Sequence, residues 1–232
     1  ERSDGSVLLS SCTADTISNA AAALRSGVLV AFPTETVYGL GADATNESAV
    51  ARIYEVKGRP QDHPVIVHLF DINQLDQWVR EIPEYAIALA RNFWPGPMTL
   101  ICQRSEVAKD FITGGQETVG IRVPNHVVAL ALLQAAKEIG VLGIAAPSAN
   151  RFGHVSPTTA QAVREELDQY LSSDDIILDG GPSQVGVEST IIDCTGSNPH
   201  ILRPGAITQE MIEEVTGLEV TDAQSEIRVS GS

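Results

Sequence analysis

Two cations follow closely on a loop of hydroxyls and glycines. The loop is Pro33-Thr-Glu-Thr-Val-Tyr-Gly-Leu-Gly41, and the cations are those of Lys57-Gly-Arg59. The apolar run Gly27-Val-Leu-Val-Ala-Phe32 ahead of the loop reads as a buried strand. A strand that runs out into proline, threonines and glycines suits a rigid rim that offers hydroxyls and bare backbone N–H groups to a polar ligand better than it suits core packing. With a lysine and an arginine beside it, the ligand expected is a small anion, above all a nucleotide.

The same wording recurs along the chain. Thr118 stands four residues before Arg122, Ser148 and Asn150 share the loop Pro147-Ser-Ala-Asn150, and Ser156-Pro157 follows. Glu188-Ser-Thr190 follows the glycine- and proline-containing loop 180–186, and Arg203-Pro-Gly205 closes the series. Hydroxyls and amides hydrogen-bond phosphate or carboxylate oxygens, and arginine adds a bidentate, charge-assisted clamp. The plainer account is that Arg122 and Arg203 pair with some of the chain's 30 acidic residues.

Several chemistries are poorly matched. The chain has no Gly-x-x-x-x-Gly-Lys-Ser/Thr run and no Gly-x-Ser-x-Gly elbow. Gly39-Leu-Gly41 fits a dinucleotide fingerprint only loosely, because six residues separate the strand from its first glycine. The histidines His63, His68, His126, His154 and His200 form no His-Glu-x-x-His pair, so no protein-held metal is expected. Cys12, Cys102 and Cys194 are widely spaced and odd in number. That argues against a disulfide framework and for a reducing, cytoplasmic setting, or an organelle if a targeting segment has been removed. No apolar run approaches the ~20 residues of a membrane span. A formal net charge of −15 disfavours broad nucleic-acid binding, and any tRNA contact is expected to be weak.

The elements that must position these residues alternate irregularly. Helices are expected over 14–25, capped by Thr13 or Asp15, and from Asn46 to about Val56 with Gly58 as the stop. Others are expected over 73–79, 83–93 and 127–139, from a Thr158 cap to about Leu167, and from Thr208 to before Gly217. Strands are expected over 28–32, 64–69, 98–102, 118–123, 143–146, 175–178, 188–193 and 201–203. Several strands are close neighbours in the chain, which favours an α/β domain with a twisted, mixed sheet. The expected division is an N-terminal extension over 1–13, a catalytic domain over 14–217, and a polar tail or truncated linker over 218–232.

In order and wording these segments resemble the YrdC-like threonylcarbamoyl-AMP synthase family. The matching pieces are the rim 33–41, Lys57-Gly-Arg59, His63-Pro64, Trp94-Pro-Gly-Pro97, Thr118-Val-Gly-Ile-Arg122, Ala146-Pro-Ser-Ala-Asn150, Gly186-Val-Glu-Ser-Thr190 and Ile201-Leu-Arg-Pro-Gly205, spread over roughly residues 14–216. The resemblance implies a single α/β domain whose twisted sheet surrounds a concave anion-binding groove. It implies a nucleotidyltransferase that makes threonylcarbamoyl-AMP and pyrophosphate from L-threonine, bicarbonate or CO2, and ATP with Mg²⁺. A separate enzyme would transfer the product onto adenosine 37 of tRNA.

The resemblance also implies roles. Lys57, Arg59, Ser148 and Asn150 match the catalytic signature. Lys57, Arg59, His63, Thr118, Ser148, Ser156 and Arg203 match positions on ATP, with His63 standing where many relatives carry Asn. Thr36, His68, Arg122, Ala146 and Ser189 match positions around threonine. Two other readings are a carbamoyl-adenylating domain of the hydrogenase-maturation type and a double-stranded RNA or tRNA-binding module without catalysis.

Overall fold

The computed structural model describes residues 8–184, 186–221 and 227–229. Within them ten strands form one mixed sheet: β1 (Leu8–Ser11), β2 (Val30–Pro33), β3 (Tyr38–Asp43), β4 (Ile66–His68), β5 (Met98–Gln103), β6 (Thr118–Arg122), β7 (Ile144–Ala145), β8 (Ile176–Asp179), β9 (Thr190–Asp193) and β10 (His200–Arg203). Their spatial order is β1-β8-β2-β3-β7-β4-β6-β5-β9-β10. The pairs β1–β8, β2–β8, β4–β6 and β5–β9 are parallel and the others antiparallel. The expectation of a mixed α/β sheet holds.

Strand β2 shows why the sheet is covered on both faces. Its side chains alternate between two cores, as the strand repeat of two requires. Val30 and Phe32 pack with α1 (Ala14–Arg25) and α6 (Val127–Glu138), through Leu24, Leu132 and Leu133. Leu29 and Ala31 join the larger core on the opposite face. There they meet side chains of α2 (Glu47–Lys57), α3 (Leu75–Trp78), α4 (Glu84–Phe93), α5 (Asp110–Thr113), α7 (Ala160–Leu167) and α8 (Gln209–Thr216).

The helix ends follow their capping residues. Thr13 caps α1 in a reciprocal capping box with Thr16, and Asn46 caps α2 by accepting from the Ala49 N–H. Gly58 ends α2 at φ 65°, a conformation that suits glycine. Thr159, not Thr158, caps α7: the side chain one residue later reaches the Ala162 N–H at 3.1 Å.

Other segments differ from the sequence reading as well. The rim is only the turn 34–37, and residues 38–43 continue as β3, buried throughout. The reason is tertiary packing: a Cβ on Gly41 would lie 2.9 Å from Ile144, Phe32 and the Val30 carbonyl, so glycine lets this strand sit where no side chain fits. Residues 8–11 of the expected extension pair with β8 as an added edge strand, while 1–7 lie outside the described residues. In the expected tail, Val220 is buried, Thr221 bridges to His200, and the Arg228 guanidinium donates to the Asp62 and Gly114 carbonyls. Residues 222–226 and 230–232 of that tail lie outside the described residues. Among the described residues no helix is long and apolar enough to cross a membrane.

Candidate active site

The helix pair α1–α6 covers the β2 side of its face. Further along that face, β4 and β6 form the floor of a cleft of about 140 Å³. His68 is T-shaped against Phe32, with ring centroids 6.2 Å apart, which fixes the face. Ile66 and His68 on β4 pair with Gly120 and Arg122 on β6. By the same repeat of two, Thr118, Gly120 and Arg122 form one row. The walls are the rim turn, the loop 146–148, Ser156, the segment 187–189 and Arg203.

The rim holds its shape by short hydrogen bonds. The Thr34 hydroxyl accepts from the Thr36 and Val37 N–H groups at 3.2 and 3.3 Å and donates to the Val37 carbonyl at 2.7 Å. Its single proton is thereby used, so the 3.0 Å contact between the Thr34 and Thr36 hydroxyls has Thr36 as donor. Ser183 Oγ donates to the Thr34 carbonyl and the Gln184 N–H to the Glu35 carbonyl, which ties the 180–184 loop to the rim.

Two arginines anchor the cleft. Arg122 is buried at the end of β6. Its Nε donates to the Gly96 carbonyl at 3.4 Å, Nη1 to Thr36 Oγ1 at 3.3 Å, and Nη2 to the Glu35 carboxylate. Burial lowers its pKa from the ordinary value, Glu35 opposes that shift, and Arg203 adds to it. Arg203 donates from Nη2 to the Ser189 carbonyl at 2.8 Å and to Ser189 Oγ at 2.9 Å. The Ser189 hydroxyl accepts there, which leaves its own proton for another partner. This contact depends on Gly205, whose Cβ would lie 2.6 Å from the backbone of Glu188, Ser189 and Thr190.

His68 supplies a neutral group. Burial, and secondarily the Arg122 charge, hold its pKa down at about 3. Its Nδ1 is buried without a hydrogen-bond partner. A buried polar atom with no partner is costly, and here it belongs to a residue that lines a cleft.

Of the residues expected from sequence, Thr36, His68, Arg122, Ala146, Ser148, Ser156, Ser189 and Arg203 line this one cleft. Lys57, Arg59, His63, Thr118 and Asn150 do not. Lys57 is fully buried behind the wall, and its ammonium donates to the carbonyls of Ser148 and Asn150. Burial first, then Arg59, lowers its pKa to about 7. Arg59 is buried too, with Nη2 on the Pro64 carbonyl at 2.8 Å and its guanidinium over the Tyr54 ring.

Asn150 Nδ2 donates to the Arg151 and His154 carbonyls, and its Oδ1 is buried without a partner. The His63 ring packs edge-on against Phe152. Thr118 lines a separate shallow hollow further along the floor, with Ile66, Gly120, Arg228 and Val229. Three of the four signature residues therefore stand behind the cleft wall rather than on its surface, because α2 ends beneath the loop that carries Ser148.

The sequence reading gave no site role of their own to Glu35, Gly39 and Glu188. Gly39 bridges to Ser148 and Glu188 lines the wall. The available signal for Glu35 was a carboxylate between two threonines in a segment otherwise chosen for hydroxyls. Among the described residues no group of three or more His, Cys, Asp or Glu side chains could hold a metal.

Comparison with known proteins identifies the family. The Sua5/YciO/YrdC family model, described as telomere recombination, matches residues 22–205. The chain is 51% identical over 198 residues to the threonylcarbamoyl-AMP synthase of Pyrococcus abyssi, an alignment covering 85% of this chain and 56% of that protein. It is 52% identical over 202 residues to the threonylcarbamoyl-AMP synthase of Bacillus subtilis, covering 87% of this chain and 56% of that protein. The chain thus spans about half the length of these curated relatives. The crystal structure of P. abyssi Sua5 complexed with L-threonine superposes with a TM-score of 0.86 at 44% identity, covering 97% of this chain and 66% of that one. By the family model and these identities, the chain belongs to the Sua5/YciO/YrdC family.

Proposed function

We propose that this protein forms threonylcarbamoyl-AMP and pyrophosphate from L-threonine, bicarbonate or CO2, and ATP. The observation that carries the reading is the convergence of Arg122, Arg203, the His68 imidazole and the Ser148, Ser156 and Ser189 hydroxyls on one cleft. A relative at 44% identity has been solved with L-threonine, and those at 51% and 52% carry the name threonylcarbamoyl-AMP synthase.

Arg122 suits the threonine carboxylate, and His68 or Ser189 Oγ the threonine hydroxyl. Arg203, Ser148 and Ser156 suit phosphate oxygens. Thr118, in the same strand row, marks the direction in which the nucleotide would extend. Lys57 acts from beneath, by fixing the loop that presents Ser148. The threonine amine forms an N–C bond to CO2 and loses a proton. A carbamate oxygen then attacks the α-phosphorus of ATP as the bond to pyrophosphate breaks. Neither step needs an enzyme nucleophile, so alignment and charge neutralisation carry the catalysis. Mg²⁺ would arrive on the triphosphate, held by phosphate oxygens and water. The product is an activated acyl-adenylate, whose use on tRNA adenosine 37 falls to a separate transfer enzyme.

Pyrophosphate release measured with each substrate omitted in turn tests the reading. Release should require ATP, threonine and bicarbonate together. Equal release without threonine removes the substrate assignment. Faster turnover on carbamoyl phosphate favours the carbamoyl-adenylating alternative, and salt-sensitive tRNA binding without ATP turnover favours the binding module.

A further inference from the structure

The carboxylate of Glu35 is held at both oxygens. One accepts from Arg122 Nη2, and the other accepts from the Asn125 N–H at 2.7 Å. Its side chain is mostly buried, at 14% exposure, beside the 6% exposed Arg122. The backbone on either side is also fixed: the Thr34 carbonyl accepts from Ser183, and the Glu35 carbonyl from the Gln184 N–H. Glu35 is therefore built into the end of β6 rather than swinging above it.

A guanidinium carries five N–H bonds. Three on Arg122 are engaged, one each from Nε to Gly96, from Nη1 to Thr36 and from Nη2 to Glu35. One N–H is left on each terminal nitrogen, which is the number that a two-pronged contact with a carboxylate needs. Without Glu35 neither of the other two contacts would restrain Nη2, and the buried cation would lose the carboxylate that it pairs with.

We propose that Glu35 is a positioning residue for substrate binding. Braced by the Asn125 N–H, it sets the rotation of the Arg122 guanidinium so that the remaining N–H pair is presented to the amino-acid carboxylate. It also balances the Arg122 charge while the cleft is empty. This rests on the reading that Arg122 receives the threonine carboxylate. It assigns to Glu35 the affinity for the amino acid and not for the nucleotide.

Calorimetric titration of threonine and of ATP, separately, into the full chain and its variants tests this. Glu35→Gln keeps size and an acceptor oxygen but removes the charge. It should raise the threonine Kd by about tenfold or more while leaving the ATP Kd within about twofold. Glu35→Asp keeps the charge with a shorter reach and should recover part of the loss. In an Arg122→Lys background, where the fork is already absent, Glu35→Gln should change threonine affinity by no more than about twofold. Melting temperatures without ligand check that each variant folds, and the Asp variant carries the test if the Gln variant does not.

Threonine binding by Glu35→Gln as tight as the parent's, or tighter, overturns the proposal. So does a loss of ATP affinity in step with threonine, or a full additional loss on top of Arg122→Lys. A parent protein that binds ATP but no threonine is a separate result, which overturns the Arg122 reading and this inference with it.

Discussion

The ammonium of Lys57 lies behind the cleft wall and donates to the carbonyl oxygen of Asn150 at 2.6 Å, with a second donation to Ser148. One buried side chain at the end of α2 thereby holds Ser148, which lines the cleft, and Asn150, which stands behind it. An uncharged amine still has two N–H groups, so both donations survive loss of the proton. That matters because the Lys57 pKa is lowered to about 7.

Lys57→Met should therefore lower stability and turnover together. It leaves two carbonyls without a donor and frees the Ser148 loop. Turnover should fall on the order of 10²-fold, the scale for a misplacement of about 1 Å. The native pKa lies below the unfolded one, so between about 7 and 10.5 the unfolded chain binds the extra proton. Stability contributed at this site then rises with pH across that window, and is constant below it. Urea unfolding at pH 7 and 9.5 should show a positive increment in the parent that is smaller in the methionine variant. Equal increments would place the titration elsewhere.

His68 should stay neutral well below neutrality, so threonine affinity should show no imidazole step between pH 5 and 7.5. Its native pKa, about 3, lies below the usual 6.5, so stability is full above 6.5 and is lost as the unfolded chain takes up the proton below it. The loss is roughly 2–3 kcal/mol between pH 6.5 and 4.5. His68→Gln should flatten that part of the acid limb in denaturant titrations. An unchanged limb would show that another group is responsible.

Much of this arrangement could be read from the residues alone. Caps and glycine stops gave α1 and α2, and the hydroxyl–arginine wording marked the segments that build the cleft. The antiparallel pair β2–β3 was harder to see, because Gly39 and Gly41 weaken any strand pattern and their use depends on neighbours distant in sequence, Ala146 and Ile144. The depth of Lys57 and Arg59 was equally hidden. A cation near a hydroxyl-rich loop reads as a ligand group, and only the packing of α2 under residues 148–150 shows that Lys57 binds backbone. Short elements such as α5 leave no period to detect.

Asp175 offers a control remote from the cleft. Its carboxylate accepts from the Leu29 and Ser172 N–H groups at 3.0 and 2.9 Å and from both terminal nitrogens of Arg52 at 2.9 and 2.7 Å. Burial raises its pKa, but Arg52 and the two N–H groups outweigh that and hold it below the ordinary value. Asp175→Asn should cost about 2–4 kcal/mol, with Arg52 partly exposed. That corresponds to about 2–4 °C in melting temperature per kcal/mol. The Asp175 contribution is present near neutrality and fades as pH falls through the carboxylate range. The Michaelis constants of the variant should match the parent's at temperatures where it is folded. A raised threonine KM there would tie Asp175 to the site.

Gly205→Ala should strike both stability and the cleft. A methyl group at 2.6 Å from three backbone atoms cannot be absorbed by side-chain movement. The Arg203–Ser189 contact must open, at about 1–3 kcal/mol. ATP binding should weaken with it, since Arg203 is the cation on that wall. A variant with parental melting temperature and parental ATP affinity would remove Gly205 from the construction of the site.

The product is the most direct readout of the proposed reaction. Mass spectrometry of a reaction containing ATP, L-threonine and ¹³C-bicarbonate should show threonylcarbamoyl-AMP with the label in its carbamoyl carbon. Formation should be abolished by Arg122→Ala in a protein that still folds. An unlabelled adenylate, or a labelled product formed undiminished by the Arg122 variant, would contradict the claim that this cleft joins an amino acid to a nucleotide.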